Sequence, residues 1–462
     1  MADVWRFFSH EDDLPDLDAD ALCGRLGAEL SIPTVDGPTH DQTDWAAFDR
    51  LEAFFRASFP LLFDAARVEK FDHSLMLTVP GRNQELRPAL LLGHMDVVPV
   101  VPGTEADWTH GAFDGHVDDE YVWGRGALDM SDQVMGNLEA VEYVLGHDGL
   151  PERTIIVCMG QDEETLQTGA RAMGAELARR GIRCEFSLDE GSYVVSDLAP
   201  YGAPGRHGLM VFLAEKGYAD VRLTVRSAGG HSSNPFGGTS LATLGRAIAR
   251  LAEADWGCEV TPLLRQTLEA VGAGDGADLD PREFLADRDL FPYVTTTCAP
   301  TMICGGSAQA NVMPQDMTAT VNFRLLTGTT AADVLARVRE LVADLPVEAE
   351  LVAEVSNDPS AVSVLEGAGA EGLRAACERY FADPATGEPL PLVPALLLGA
   401  SDSRMYECCC GTCLRFSPFV ADADEVSRGI HGTDERITRR AYLQGIRLLV
   451  HLLRTTCCQA VS

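Results

Sequence analysis

Three short strand-like runs in this chain, the first two of them apolar, each stop abruptly on acids or a histidine. Ala89 to Gly93 ends on His94 and, two residues later, Asp96. IIVCMG, residues 155–160, is followed by Gln161, Asp162, Glu163 and Glu164. The third run, in CEFSLDEG, ends on Asp189 and Glu190. A run without polar residues on either face reads as a strand covered on both sides, the habit of parallel strands in layered α/β domains. Helical stripes separate the runs: QVMGNLEAVEYVLGH after the first, and the segment from Arg171 to Arg180 after the second. This rhythm predicts a mostly parallel central sheet flanked by helices, with functional residues gathered where strands end.

The rest of the chain fills in two units, as its 462 residues exceed one ordinary core. Residues 17–66 read as helical, because DLDADALCGRLGAEL and DWAAFDRLEAFFRASF space apolar residues three and four apart. Ser74 to Pro80 alternates like a strand. Near Lys216 the pattern changes. YADVRLTVR alternates as a strand and SLATLGRAIARLAEA is an amphipathic helix. TTTCAPTMI and MTATVNFRLL are strands, TAADVLARVRELVAD is a helix and EAELVAEV is a last strand. That order, β-α-β-β-α-β, is a ferredoxin-like module. It is expected at 216–356, between two parts of the α/β domain at 1–215 and 357–462. The acidic insert near residues 274–290 carries no reading.

Charge narrows the function classes. The net charge of −34 argues against nucleic acid and anionic membranes, which need basic patches. No apolar stretch reaches membrane-spanning length. MADVWRFFSHEDD lacks the basic start and apolar run of a secretion signal. Thirteen unevenly spaced cysteines then read as free thiols of a reducing compartment, so the expectation is a cytoplasmic enzyme.

The strand ends carry the chemistry. His94 and Asp96 share a face of an extended chain, so Asp96 can accept the second N–H of a metal-binding imidazole. Glu163 and Glu164 point in different directions: one can bind a metal while the other takes a proton from water. Asp189 and Glu190 repeat that logic. A glycine-marked turn, WGRGALDM, delivers Asp129, and His431 stands far downstream. Imidazole and carboxylate ligands suit zinc, with cobalt or manganese possible. A carboxylate such as Asp129 can bridge two metals about 3.5–4 Å apart.

The pieces GHMDVVP, WGRGALDM, GQDEETLQTGA, FSLDEG, AGGHSSNP, NVMPQDMTATVNFR, GASDSRMY and RFSPF…GIHGTDERI run in order from about residue 90 to residue 437. Together they resemble the co-catalytic zinc exopeptidases and amidohydrolases that include aminoacylase, carboxypeptidase S, the zinc dipeptidases and succinyl-diaminopimelate desuccinylase. The closing pieces are most similar to carboxypeptidase S and related N-acyl amino acid hydrolases. The resemblance implies a zinc-dependent exopeptidase-type domain interrupted by a dimerising lid, with two Zn2+ per subunit. It makes His94 a ligand of one metal, His431 of the other and Asp129 the bridge. Glu164 and Asp189 would each complete a shell, Glu190 being the alternative to Asp189. Glu163 becomes the general base and Asp96 the residue that orients His94. His231, in the lid, would reach into the partner subunit's site to stabilise the oxyanion. Asn311 and Arg324 would hold the substrate's backbone and carboxylate, and Arg404 and Gly399 would line its pocket. The Asp129–Met130 peptide is expected to be cis. The implied substrates are small peptides or N-acyl amino acids, cleaved at an amide beside a free carboxylate, and the implied assembly is a homodimer through the lid.

The chain departs from that pattern in two places. Ser131 and Asp132 stand where the family carries a lysine after the bridge, and Gln161 stands where a histidine is frequent. Two other function classes stay open. One is a non-catalytic dimer that binds a ligand or partner. The other is a thiol-redox protein built on ECCCGTC, Cys408 to Cys413, although packing of small apolar residues near a strand is the preferred reading there.

Overall fold

The computed structural model describes residues 4–459 apart from positions 38, 275, 277, 278 and 354. Along the chain, β1 (Arg67–Phe71) and β2 (Ser74–Val79) make a hairpin, and β3 (Ala89–His94) follows. β4 (Tyr121–Trp123) lies apart, then come β5 (Ile155–Gly160), β6 (Phe186–Ser192), β7 (Val195–Asp197) and β8 (His207–Glu215). The middle of the chain gives β9 (Gly217–Arg226), β10 (Gly230–His231), β11 (Thr297–Gly305), β12 (Val312–Met313), β13 (Asp316–Leu325) and β14 (Glu348–Leu351). The tail adds β15 (Leu392–Leu397), β16 (Cys413–Phe416) and β17 (Arg436–Thr438).

The central sheet has the order β1-β2-β5-β3-β6-β16-β8-β15, with β7 beside β8. Its middle is parallel: β5 with β3, β3 with β6, and β6 with β16. β3 and β5 are buried at every residue, as their apolar runs require. Successive side chains serve opposite faces. Leu91 and Val157 join the larger core, which holds the helices Ala19–Leu30, Trp45–Ser58, Ser131–His147 and Arg439–Leu453. Leu90, Leu92, Ile156 and Cys158 join a second layer with Ala170 and Met173 of the helix Thr168–Arg179. Cys184, Cys409, Cys410 and Cys413 pack in that same layer as small apolar groups, while Cys408 is exposed.

A second sheet has the antiparallel order β11-β13-β9-β14. The alternation expected in YADVRLTVR is real: Ala219, Val221, Leu223 and Val225 face the helices Ser240–Ala252 and Ala331–Leu341. In chain order these elements run β-α-β-β-α-β. Of EAELVAEV the strand keeps only Glu348–Leu351, because the Val355 N–H turns back to the Val352 carbonyl. Not all of 216–356 joins this module. The helix Pro262–Val271 turns Leu264, Leu268 and Val271 onto Val393 and Ala395 of the central sheet. The insert that follows forms short helical turns at Pro281–Phe284 and Phe291–Val294. No helix among the described residues is long and apolar enough to cross a membrane.

Candidate active site

The ends of β3, β5 and β6 lie side by side, so their polar residues meet. His94 is the last residue of β3 and is buried. Its Nε2 lies 3.1 Å from Asp129 Oδ1, and the other Asp129 oxygen lies 3.1 Å from His431 Nε2. His431 Nε2 is also 3.1 Å from Glu164 Oε1. One carboxylate thus presents an oxygen to each of two imidazoles that stand 337 positions apart in sequence. The donors fall into two groups sharing Asp129: His94, Asp129 and Glu190, and Asp129, Glu164 and His431.

This corrects one expectation. Glu190, not Asp189, stands beside His94, its Oε1 4.0 Å from Nε2. Neighbours on a strand point to opposite faces. Asp189 therefore turns towards Arg415 and Ser403, while Tyr193 donates its hydroxyl to Glu190 Oε2 at 2.6 Å. The role of Asp96 also differs in detail. His94 Nδ1 hydrogen-bonds the backbone carbonyl of Asp96 at 2.9 Å, and the Asp96 carboxylate is 3.5 Å away. That carboxylate accepts instead from the N–H groups of Glu163 and Glu164, both at 3.0 Å. Asp96 therefore fixes the turn that carries both glutamates.

The loops are built locally. After β5, Asp162 accepts from the N–H groups of Thr168 and Gly169, satisfying the first donors of the helix Thr168–Arg179. Gln167 donates to Glu163 Oε1 at 2.7 Å. His431 sits in the left-handed region at φ 57°, a conformation histidine reaches more readily than most residues. The Asp129–Met130 peptide is cis. Glu435, which the sequence reading did not single out, organises the turn before Asp129. It accepts from the N–H groups of Gly126, Leu128 and Asp129 and pairs with Arg125 at 2.6 Å. Arg125 also donates to the Gly432 carbonyl, joining this turn to the one that holds His431. The motif IHGTDER contains Glu435, but nothing in it announces a partner so far upstream.

The electrostatics are those of an acid-rich pocket short of positive charge. Burial, then repulsion from Asp402, Glu164 and Asp96, raises Glu163 well above the usual carboxyl range. Burial and Asp129 do the same to Glu190. Asp132, at a departure from the family pattern, is a further buried acid held high by burial and by Asp129. His431 is pushed up to about 10 by its bonds to Asp129 and Glu164. For His94, burial opposes protonation, but Asp129 and Asp96 outweigh it. Two imidazoles and three carboxylates converge here. The donor set fits divalent metal ions.

The remaining predicted residues lie elsewhere. His231 and Asn311 share an exposed corner: β10 pairs with β12, and the Ser232 N–H donates to the Asn311 carbonyl. The His231 ring is engaged by the Ser233 hydroxyl at 2.8 Å. Arg324, at the end of β13, lies over the Tyr218 ring. Among the described residues, no hydrogen bond or ion pair joins these three to the Asp129 cluster. Arg404 donates to the Asp358 carbonyl and faces Glu215 at 3.8 Å, between the two crossings that link the second sheet to the first. Gly399 borders open space. Gln161 braces the β1–β2 turn through the His73 and Ser74 N–H groups.

Residues 90–455 match the model of peptidase family M20/M25/M40. The chain is 30% identical to the probable carboxypeptidase S-like 2 of Dictyostelium discoideum, over 97% of its own length and 87% of that protein's. It is 28% identical to the human N-fatty-acyl-amino acid synthase/hydrolase PM20D1, over 94% and 87% of the two chains. Among solved structures, the M20 metallo-carboxypeptidase Sso-CP2 of Sulfolobus solfataricus superposes with a TM-score of 0.70 at 15% identity, covering 94% of this chain and 99% of that one. Human carnosine dipeptidase 1 gives 0.67 at 16%, covering 96% and 97%.

Proposed function

The chain belongs to peptidase family M20/M25/M40 and is a metal-dependent hydrolase of amide bonds; from this premise we propose that it cleaves small peptides or N-acyl amino acids beside a free carboxylate. The observation that carries the site assignment is Asp129, whose two oxygens each face a different imidazole at 3.1 Å. We assign two Zn2+ per subunit, with Co2+ or Mn2+ as substitutes. His94, Asp129 and Glu190 would hold one ion, and Asp129, Glu164 and His431 the other. Bound there, such ions polarise the amide carbonyl and lower the pKa of water. The side chains move the proton. Glu163 is half-buried among acids that raise its affinity for a proton, so it can take one from the attacking water and return it to the leaving nitrogen. Gln167 holds its carboxylate in place, and Asp96 holds the backbone on which it stands.

The second sheet and its helices act as a lid and as the dimer contact. β11 is an edge strand with Met302 and Ile303 exposed, which supports pairing with a second copy. His231, which makes no hydrogen bond to its own chain's cluster among the described residues, would then serve the neighbouring site and stabilise charge on the carbonyl oxygen. Asn311, Arg324, Arg404 and Gly399 are assigned to substrate binding, with Arg404 released from Asp358 as the lid closes. All thirteen cysteines are free thiols, which supports a cytoplasmic setting.

The test is a panel of dipeptides and N-acyl amino acids offered to purified protein with and without chelator. Hydrolysis should stop on chelation and return with Zn2+. Glu163→Gln should keep its metal and lower kcat by about 10³-fold. Undiminished turnover in that variant would remove Glu163 as the base.

A further inference from the structure

The turn that carries Glu163 and Glu164 is gripped from a second side, by chain that precedes residue 90, where the family match begins. After the helix Ala19–Leu30 the sequence runs Ser31, Ile32, Pro33, Thr34, Val35, Asp36. Pro33 has no N–H and biases Ile32 towards extended backbone. The β-branched Thr34 and Val35 favour the same, so the helix gives way to a short extended piece. That piece lies parallel to the segment leaving β3. Val35 bridges to Val97, the Val97 N–H donates to the Thr34 carbonyl at 3.0 Å, and the Asp36 N–H donates to the Val97 carbonyl at 3.3 Å. The Thr34 hydroxyl adds a bond to the Met95 carbonyl at 2.6 Å. Asp36 and Asp96 therefore stand on two neighbouring, cross-linked segments.

Both aspartates reach the same turn. Asp96 accepts from the N–H groups of Glu163 and Glu164, and Asp36 Oδ2 accepts from the hydroxyl of the next residue, Thr165. Asp36 is buried, and its Oδ1 accepts from the Thr43 hydroxyl at 2.8 Å. Thr43 in turn accepts from the Gly37 N–H at 3.0 Å, so the Asp36 carboxylate is oriented from behind. Three successive residues of the turn thus hang on two carboxylates. The Thr165 N–H reaches the Asp162 carbonyl at 3.4 Å, a weak bond, whereas a hydroxyl donating to a carboxylate is a strong one. Asp36 is then the main anchor at this end of the turn. The geometry has kinetic weight, because a displacement of about 1 Å in a reacting group can cost about 10²-fold in rate.

We propose that Asp36, acting through Thr165, is a positioning residue that holds the Glu163–Glu164 turn in place for the reaction. This rests on the assignment of Glu163 as base and Glu164 as metal ligand. The test uses the full chain and the dipeptide or N-acyl amino acid that the panel above finds cleaved. Thr165→Val and Asp36→Ala should each lower kcat about tenfold and leave KM within about twofold. The double variant should be no slower than the slower single, since both changes remove one and the same bond. Thr165→Ser keeps the hydroxyl and should stay near wild type. Full kcat in Thr165→Val, an equal loss in Thr165→Ser, or losses that multiply in the double variant would overturn the proposal. Amide hydrogen exchange over residues 162–168 in zinc-free protein reads the same hold without substrate or metal. The Glu163 and Glu164 N–H groups should exchange at least about tenfold faster in Thr165→Val and at the wild-type rate in Thr165→Ser. Unchanged exchange in Thr165→Val, whose site is exposed and outside the core, would equally overturn it. Glu163→Gln run beside these separates the two readings. Turnover surviving in Glu163→Gln removes the base itself, whereas an inactive Glu163→Gln beside an unaffected Thr165→Val removes only the role of Asp36.

Discussion

Glu435→Gln isolates the residue that holds the turn before Asp129. Its carboxylate gathers four donors: Arg125 at 2.6 Å, Gly126 and Leu128 N–H at 2.9 Å, and Asp129 N–H at 3.2 Å. The Arg125 and Glu435 side chains are only 2% and 1% exposed, so water cannot replace what is lost. The amide keeps the shape but turns one acceptor oxygen into a donor facing N–H groups. It also leaves the Arg125 charge unbalanced. Breaking one side of a buried pair costs about 3–5 kcal/mol. Arg125 keeps the Gly432 carbonyl and the face of Trp108, which places the loss near the lower end, about 3 kcal/mol. Urea unfolding in excess chelator reads this without any contribution from metal. Arg125→Met with Glu435→Gln should lose less than the two single changes added together, with a coupling of about 2 kcal/mol. Additive losses, or a Glu435→Gln loss below about 1 kcal/mol, would show that the pair does not hold the turn.

Two further perturbations separate neighbouring acids. Glu190→Gln should weaken metal binding on the His94 side by about tenfold or more, whereas Asp189→Asn should leave metal affinity in place; dialysis against buffered Zn2+ distinguishes them, and the reverse ranking would restore Asp189. Glu29 is buried and, among the described residues, only Ser131 donates to it, so burial lifts its pKa to about 8. The folded chain then keeps a proton that the unfolded chain sheds near pH 4.5, so this group's contribution to stability falls as pH rises from there towards 8. Glu29→Gln should match wild type near pH 4.5 and exceed it by about 2–4 kcal/mol at pH 9. A variant whose advantage does not grow with pH would show that Glu29 is ionised in the folded protein.

Much of this site is legible from the sequence because burial and position coincide. The runs ending at Gly93 and Gly160 are apolar throughout and Phe186–Leu188 is interrupted only by the small Ser187, a pattern of strands covered on both faces, and their polar ends must then meet. The alternation in β9 likewise gives away which side its helices cover. The choice between Asp189 and Glu190 is a matter of strand parity. β6 shifts register against β16 just past Asp189, where Gly191 lies against the Arg415 backbone, and no pattern in one sequence reveals such a slip. Glu435 and Arg125 meet across 310 positions through side-chain bonds that leave no periodic trace. The helix Pro262–Val271 has a clear apolar face, but the sequence does not say that the face serves the central sheet rather than the nearer module. Arg404 donates to the Asp358 carbonyl and faces Glu215, and its place there follows from the packing of segments that the motif SDSR does not mention.

The central claim is that Asp129 is shared by two cations. Metal analysis of wild type beside Asp129→Asn tests it directly. The account predicts two equivalents per chain in the first protein and close to none in the second. Two equivalents retained without the Asp129 carboxylate would contradict it.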